Sequence, residues 1–314
     1  MIGALTRALG WLGRQGTRAI AALVILGIVL PPLDRLLKPY VAPAIFALLC
    51  VAFARIDTQA LARYVQRPAL VLTATAWTTV GIPVLFGTTC LLASFDHRAP
   101  DLFQGLMLQA VTSPMMAAPA FASLMGLDAT LVLVTLVASS CLIPVSVPFF
   151  ISLFVGQGLH VSPATLGMTL LAILCGSAAI GLGLRRLLGP SPIARFKDQI
   201  DGFNILVLFV FVATVMEDVA RSIVEKPSVT AALALLGFAL FGAIFAVTTL
   251  LFAGAGRERA LALGFMTAQR NMGLMVAATG GALPDMTWLY FAVCQFPIYF
   301  SPQILKPIIA RLVR

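Results

Sequence analysis

The chain has 314 residues, of which 60% are hydrophobic and 11% charged, with a formal net charge of +9 and a mean hydropathy of +1.01. Such hydropathy excludes an ordinary water-soluble globular domain. Apolar runs such as 129–155 and 231–253 reach the roughly 20 residues that a membrane-spanning helix needs, and they are too continuous for a β-barrel.

The first residues predict a short helix on the inner membrane surface. Ile2, Leu5, Leu9 and Leu12 share one stripe, with Arg7 and Arg14 off it. The chain is then apolar from Ala19 to Leu33, like a signal peptide in outline. Pro31-Pro32-Leu33-Asp34 is a poor cleavage site, so the run is read as a retained helix. Ten spans are expected in all, near 18–36, 40–55, 69–94, 102–126, 129–154, 161–184, 200–222, 228–254, 258–281 and 285–309. The second is short. The tenth carries Pro297, Pro302 and Pro307 and is expected to kink.

Charge placement orients these spans. With a cytoplasmic N-terminus, the inside loops hold Arg7, Arg14, Arg18, Arg55, Arg63, Arg67, Arg185, Arg186, Arg195, Lys197, Arg257, Arg259, Lys306, Arg311 and Arg314. The outside loops hold Arg35, Lys38, Arg98, Arg221 and Lys226. This positive-inside asymmetry accounts for the basic balance without nucleic acid. Both termini are then cytoplasmic, and the plasma (inner) membrane is the expected location. An odd number of spans per half inverts the second half. The expected fold is therefore an all-α polytopic membrane protein of ten transmembrane helices in two inverted five-helix repeats, 1–155 and 156–314.

Two spans carry polar interruptions at matching places. In the fourth, Thr112-Ser113-Pro114-Met115-Met116-Ala117-Ala118-Pro119 holds two prolines five residues apart. Each removes a backbone donor and clashes with the preceding turn. In the ninth, Gln269-Arg270-Asn271-Met272-Gly273 places three consecutive polar residues near mid-span. Lipid cannot satisfy the backbone groups that a broken helix frees, so such breaks survive where protein, water or ligand does so. Pro114, Pro119 and Gly273 are the helix-break residues, and helices four and nine are expected to be unwound there. Thr112, Ser113, Gln269, Arg270, Asn271 and, in the tenth span, Gln295 are the candidate substrate-binding residues. Arg270 has two readings: a fixed positive charge for an anionic group, or a strut on backbone carbonyls.

Other polar residues have plainer readings. Glu217-Asp218 read as a solvated helix end, with proton coupling the alternative. Gln295 serves a cavity or a packed interhelical hydrogen bond. Met115, Met116, Met266, Met272 and Met275 suit either a tolerant apolar pocket or ordinary packing. His97 and His160 are placed in loops. Cys50, Cys90, Cys141, Cys175 and Cys294 lie in apolar runs without metal-ligand spacing, so neither metal nor cofactor is expected.

Two stretches resemble the bile acid:sodium symporter superfamily. One runs from Thr112 to Pro148, with the turn Leu124-Met125-Gly126-Leu127-Asp128 and late prolines Pro144 and Pro148. The other runs from Arg259 to Met275 and is similar to the family's ninth-helix signature. The resemblance implies a core domain of helices at about 69–154 and 228–309 and a panel domain at about 18–55 and 161–222. Substrate would bind between them, near the crossing of helices four and nine, and move by alternating access. It also implies sodium ligands that this sequence replaces. Ala118 and Pro119 stand for a Ser-Asn pair, Val132 and Leu136 for hydroxyl ligands, and Met266 and Arg270 for a Glu and a Gln.

The expected function is a secondary transporter of a small organic anion, not coupled to sodium at the family's usual sites. The alternatives are a non-transporting membrane binding or regulatory protein and a sodium symporter using other ligands. The expected partners are the small-molecule substrate and the lipid bilayer. An enzyme is not expected, since the sequence lacks an HExxH motif, a Gly-x-Ser-x-Gly elbow and paired mid-membrane carboxylates.

Overall fold

A computed structural model describes residues 2–16, 34–56, 68–159 and 161–312, together with 19, 22 and 25–27. Most of the expected first span, Arg18, Arg63, Arg67, His160 and Arg314 lie outside the described residues, as do the side chains of Arg35, Glu217 and Asp218.

The described chain is helical, and its one extended feature is an isolated antiparallel bridge. In chain order the main helices are α1 (Ile2–Gln15), α2 (Val41–Ala54), α3 (Pro68–Leu92), α4 (Pro100–Val111), α5 (Ala118–Leu124), α6 (Ala129–Phe154), α7 (Pro163–Leu188), α8 (Lys197–Glu225), α9 (Pro227–Leu251), α10 (Arg257–Ala268), α11 (Met272–Ala278), α12 (Asp285–Val293) and α13 (Gln295–Leu312). Among the described residues, α3, α6, α7, α8 and α9 are long and apolar enough to cross a membrane. The protein is accordingly a helical membrane protein.

The chain divides into two compact units, one of residues 1–56 and 173–232 and the other of 57–172 and 233–314. In the first, α1 packs along α8 rather than resting on lipid alone. Glycines permit the approach: a Cβ on Gly13 would strike the Asp198 carbonyl, and one on Gly202 would strike Leu9. Arg14 reaches Asp198 at 3.6 Å, and Arg55 pairs with Asp201. Leu5 and Trp11 face outward from α1, 60% and 59% exposed.

The second unit holds the interrupted helices. Its elements recur with matched lengths: α3 and α9 have 25 residues each, α4 and α10 have 12, and α5 and α11 have 7. The two short helices also end alike. Gly126 (φ 75°) follows α5 and Gly280 (φ 62°) follows α11. At both ends two amides turn back onto the helix. Leu127 N donates to Ala122 O and Gly126 N to Ser123 O, while Gly281 N donates to Val276 O and Gly280 N to Ala277 O. This is the left-handed glycine cap that closes the carbonyl end of a helix.

Prolines shape the remaining breaks. α12 gives way to α13 at Cys294, three residues before Pro297, which offers no N–H to Val293. The helix then continues through Pro302 and Pro307, so the expected kink sits at the first of the three prolines. In α3, the stretch Trp77–Gly81 is a π-helical turn directly before Pro83, where a continuous span is expected from the sequence.

Candidate functional site

The two gaps face each other. α4 ends at Val111 and α5 begins at Ala118; α10 ends at Ala268 and α11 begins at Met272. Between them, Pro114 and Arg270 form the antiparallel bridge. Met115 N donates to Gln269 O at 2.7 Å, and Asn271 N donates to Ser113 O at 2.9 Å. Pro114 occupies the position between these bonds, where an antiparallel pair uses no amide, so its missing N–H costs nothing. The Thr112 hydroxyl donates to Asn271 O at 3.0 Å. Each severed helix thus satisfies backbone groups of the other, which is what a break at membrane depth requires.

Arg270 sits at this meeting point, 1% exposed and the largest of the fully buried side chains. Its Nη1 donates to Thr112 O at 2.8 Å and makes a longer contact to Thr78 O at 3.4 Å. The second carbonyl is available for a local reason. In the π-turn the Ile82 amide bonds to Trp77 O, and the next residue, Pro83, has no amide to give. Thr78 O therefore lacks an in-helix donor, and Arg270 approaches it. This is the strut arrangement of the two readings given to Arg270. Among the described residues, Nε and Nη2 have no partner, and no ion pair is formed with Arg270.

The neighbouring polar residues are divided in their roles. Gln269 is buried, and its Nε2 donates to Ile298 O at 3.1 Å and Ser301 Oγ at 2.7 Å, tying the gap to α13. Asn271 is half-buried and caps α11, its side-chain oxygen accepting from Leu274 N at 3.1 Å. Ser113 is fully buried, and its hydroxyl has no partner among the described residues. Met115, Met116 and Ala117 are partly exposed, whereas Met266, Met272 and Met275 are buried in packing.

Three of the residues singled out in the sequence fall elsewhere. Pro119 is in the first turn of α5, where a helix has no use for the missing amide. Gly273 is likewise in the first turn of α11. Both mark where a helix resumes, and neither lies in its gap. Gln295 is buried at the start of α13 and its Nε2 donates to Phe291 O at 2.9 Å, a bond within its own segment.

Sequence reasoning missed the part played by α3. Besides Thr78 O, the Thr78 hydroxyl meets that of Thr267 at 3.4 Å, and Trp77 Nε1 donates to Thr248 Oγ1 at 2.9 Å. The available signal was Pro83 within an apolar run, since a proline inside a span always frees a carbonyl one turn back. On α6, Thr135 and Ser139 are fully buried, their hydroxyls without partners among the described residues. That helix packs against α3, α4 and α10.

Outside this region, His97 is a solvated side chain 3.2 Å from Asp96. Cys50, Cys90 and Cys294 are buried, while Cys141 and Cys175 are exposed. Among the described residues no group of three or more His, Cys, Asp or Glu is placed to hold a metal ion. No model of a known protein family matches the chain, and no curated protein matches it.

Proposed function

We propose that this chain is a secondary transporter of a small organic anion, with ten spans in two inverted repeats. The observation that carries the reading is the antiparallel joining of two severed helices around a buried guanidinium. Broken helices meeting within the membrane are the usual construction of a transporter binding site. The matched lengths of α3 to α5 and α9 to α11, with the same glycine cap after the two seven-residue helices, support the repeat. The resemblance to the bile acid:sodium symporter superfamily supports the same layout, with the two compact units in the roles of core and panel. Transport would proceed by alternating access in the plasma membrane, both termini cytoplasmic.

Arg270 supports the choice of an anion. A buried positive charge with no acidic partner among the described residues favours a negative substrate nearby. Thr112, Ser113, Gln269 and Asn271 surround it along the two gaps, and the half-exposed Asn271 is the member that substrate reaches first. The same guanidinium explains independence from sodium. Held on Thr112 O, it supplies at a helix carbonyl end the positive charge that a bound cation would bring. A second reading is a membrane binding protein without flux. The commitment of Nη1 to backbone carbonyls favours it, since a strut needs no transported ligand.

Uptake of radiolabelled organic acids into proteoliposomes tests this, with the acids chosen by thermal shift on the purified protein. Saturable uptake that persists when choline replaces sodium is expected. Strict sodium dependence would remove Arg270 from its cation-replacing role. Ligand-induced stabilisation without flux would establish the binding protein instead.

A further inference from the structure

We infer that the Nε–Nη2 edge of Arg270 is a binding site for a carboxylate group, a subsite of the transporter reading and dependent on it for its physiological role. A guanidinium is planar and presents its N–H groups in pairs. Nε and the terminal nitrogen on the same side form one fork, with two parallel N–H vectors spaced to meet two oxygens of one carboxylate. In Arg270 the division of labour follows that chemistry. The nitrogen turned the other way, Nη1, is spent on Thr112 O and Thr78 O. The two donors of the fork, Nε and Nη2, are buried and have no partner among the described residues.

A buried, charged donor left unpaired is unfavourable, and native proteins rarely keep one without a use for it. A carboxylate matches the fork in charge and in spacing, with one oxygen for each N–H. A cation does not fit a site whose centre is Arg270. A halide fits the charge but not the paired geometry. The unpartnered Gln269 Oε1 offers one competing arrangement, in which a single water is shared between that acceptor and the fork, and such an occupant predicts no response to added anions.

The test is thermal unfolding of the full-length purified protein, titrated with choline formate, choline acetate and choline chloride at constant ionic strength. Formate and acetate are expected to raise the midpoint at concentrations about tenfold lower than chloride, the advantage of paired over single hydrogen bonding. Arg270→Lys keeps the charge and loses the fork, so it should respond to carboxylates no better than to chloride. If that variant does not fold, Arg270→Gln provides the reading: its neutral amide should respond to formate no better than to chloride. Equal responses to formate and chloride in the native protein, or an unchanged formate response in either folded variant, would overturn the proposal. Its failure is separable from that of transport. Carboxylate binding without flux removes the transporter and leaves the subsite, whereas flux with an unchanged formate response in Arg270→Lys removes the subsite and leaves the transporter.

Discussion

Arg270 and Asn271 are neighbours in one gap, yet their side chains serve different ends. The guanidinium is fully buried and draws together the carbonyl ends of α4 and of the π-turn in α3. The amide of Asn271 is half-buried and opens α11 by capping its first turn. Removing that cap leaves the Leu274 amide without its side-chain acceptor, a loss of about 1 kcal/mol. Asn271→Ala is therefore expected to lower the thermal midpoint modestly, while Asn271→Asp and Asn271→Ser keep an acceptor and recover most of the loss. A midpoint for the alanine variant equal to that of the native protein would show that the Leu274 amide is satisfied by the Asn271 carbonyl alone. The polar trio 269–271 was legible in the sequence because Arg270 is the charged residue that falls near the middle of an expected span. What each member holds was not, since Thr112 O, Thr78 O, Ile298 O and Ser301 are backbone or distant groups that one-dimensional spacing does not bring together. Gln295 is a further case: polarity left a cavity and a packed hydrogen bond both open, and its amide bonds Phe291 O, one turn back in its own segment.

At the scale of the element, proline position decides what a break looks like. Pro114 stands inside a gap, Pro119 opens a helix, Pro83 follows a π-turn, and Pro144 and Pro148 lie within α6, which continues through them. The same residue type gives four outcomes because each depends on whether the freed carbonyl finds another donor. The gaps were legible in the sequence, and the π-turn was not, because Trp77–Gly81 reads as ordinary apolar helix. The glycine caps are a cleaner case. Gly126 and Gly280 both adopt positive φ, and an added Cβ at either would meet no atom within 4 Å. Alanine at either position therefore costs only the left-handed backbone, about 1–2 kcal/mol. Gly126→Ala and Gly280→Ala are expected to lower the thermal midpoint by similar amounts, measured by unfolding in detergent. A large loss at one and none at the other would show that the two helix ends are not equivalent in the folded protein.

The whole-molecule question is whether these equivalent elements run in opposite directions through the bilayer. Two five-helix halves require it: a five-span half leaves the membrane on the side opposite its entry. In the proposed repeat, the loop after α3, at 93–99, and the loop after α9, at 252–256, would occupy corresponding places in the two halves. They should emerge on opposite faces, the first outside with Arg98 and the second inside with Arg257, in accord with the positive-inside bias. His97 and Gly254 are the reporters. The His97 side chain is 86% exposed, and a Cβ at Gly254 would meet nothing within 4 Å, so cysteine at either should leave the packing intact. The exposed native thiols, Cys141 and Cys175, would be replaced by serine or alanine to keep the background low. In intact cells, His97→Cys is expected to react with a membrane-impermeant maleimide, and Gly254→Cys only after permeabilisation. Labelling of both from the same side would make the matched helices parallel copies, and the pairing of α4 with α10 would then have arisen without inversion.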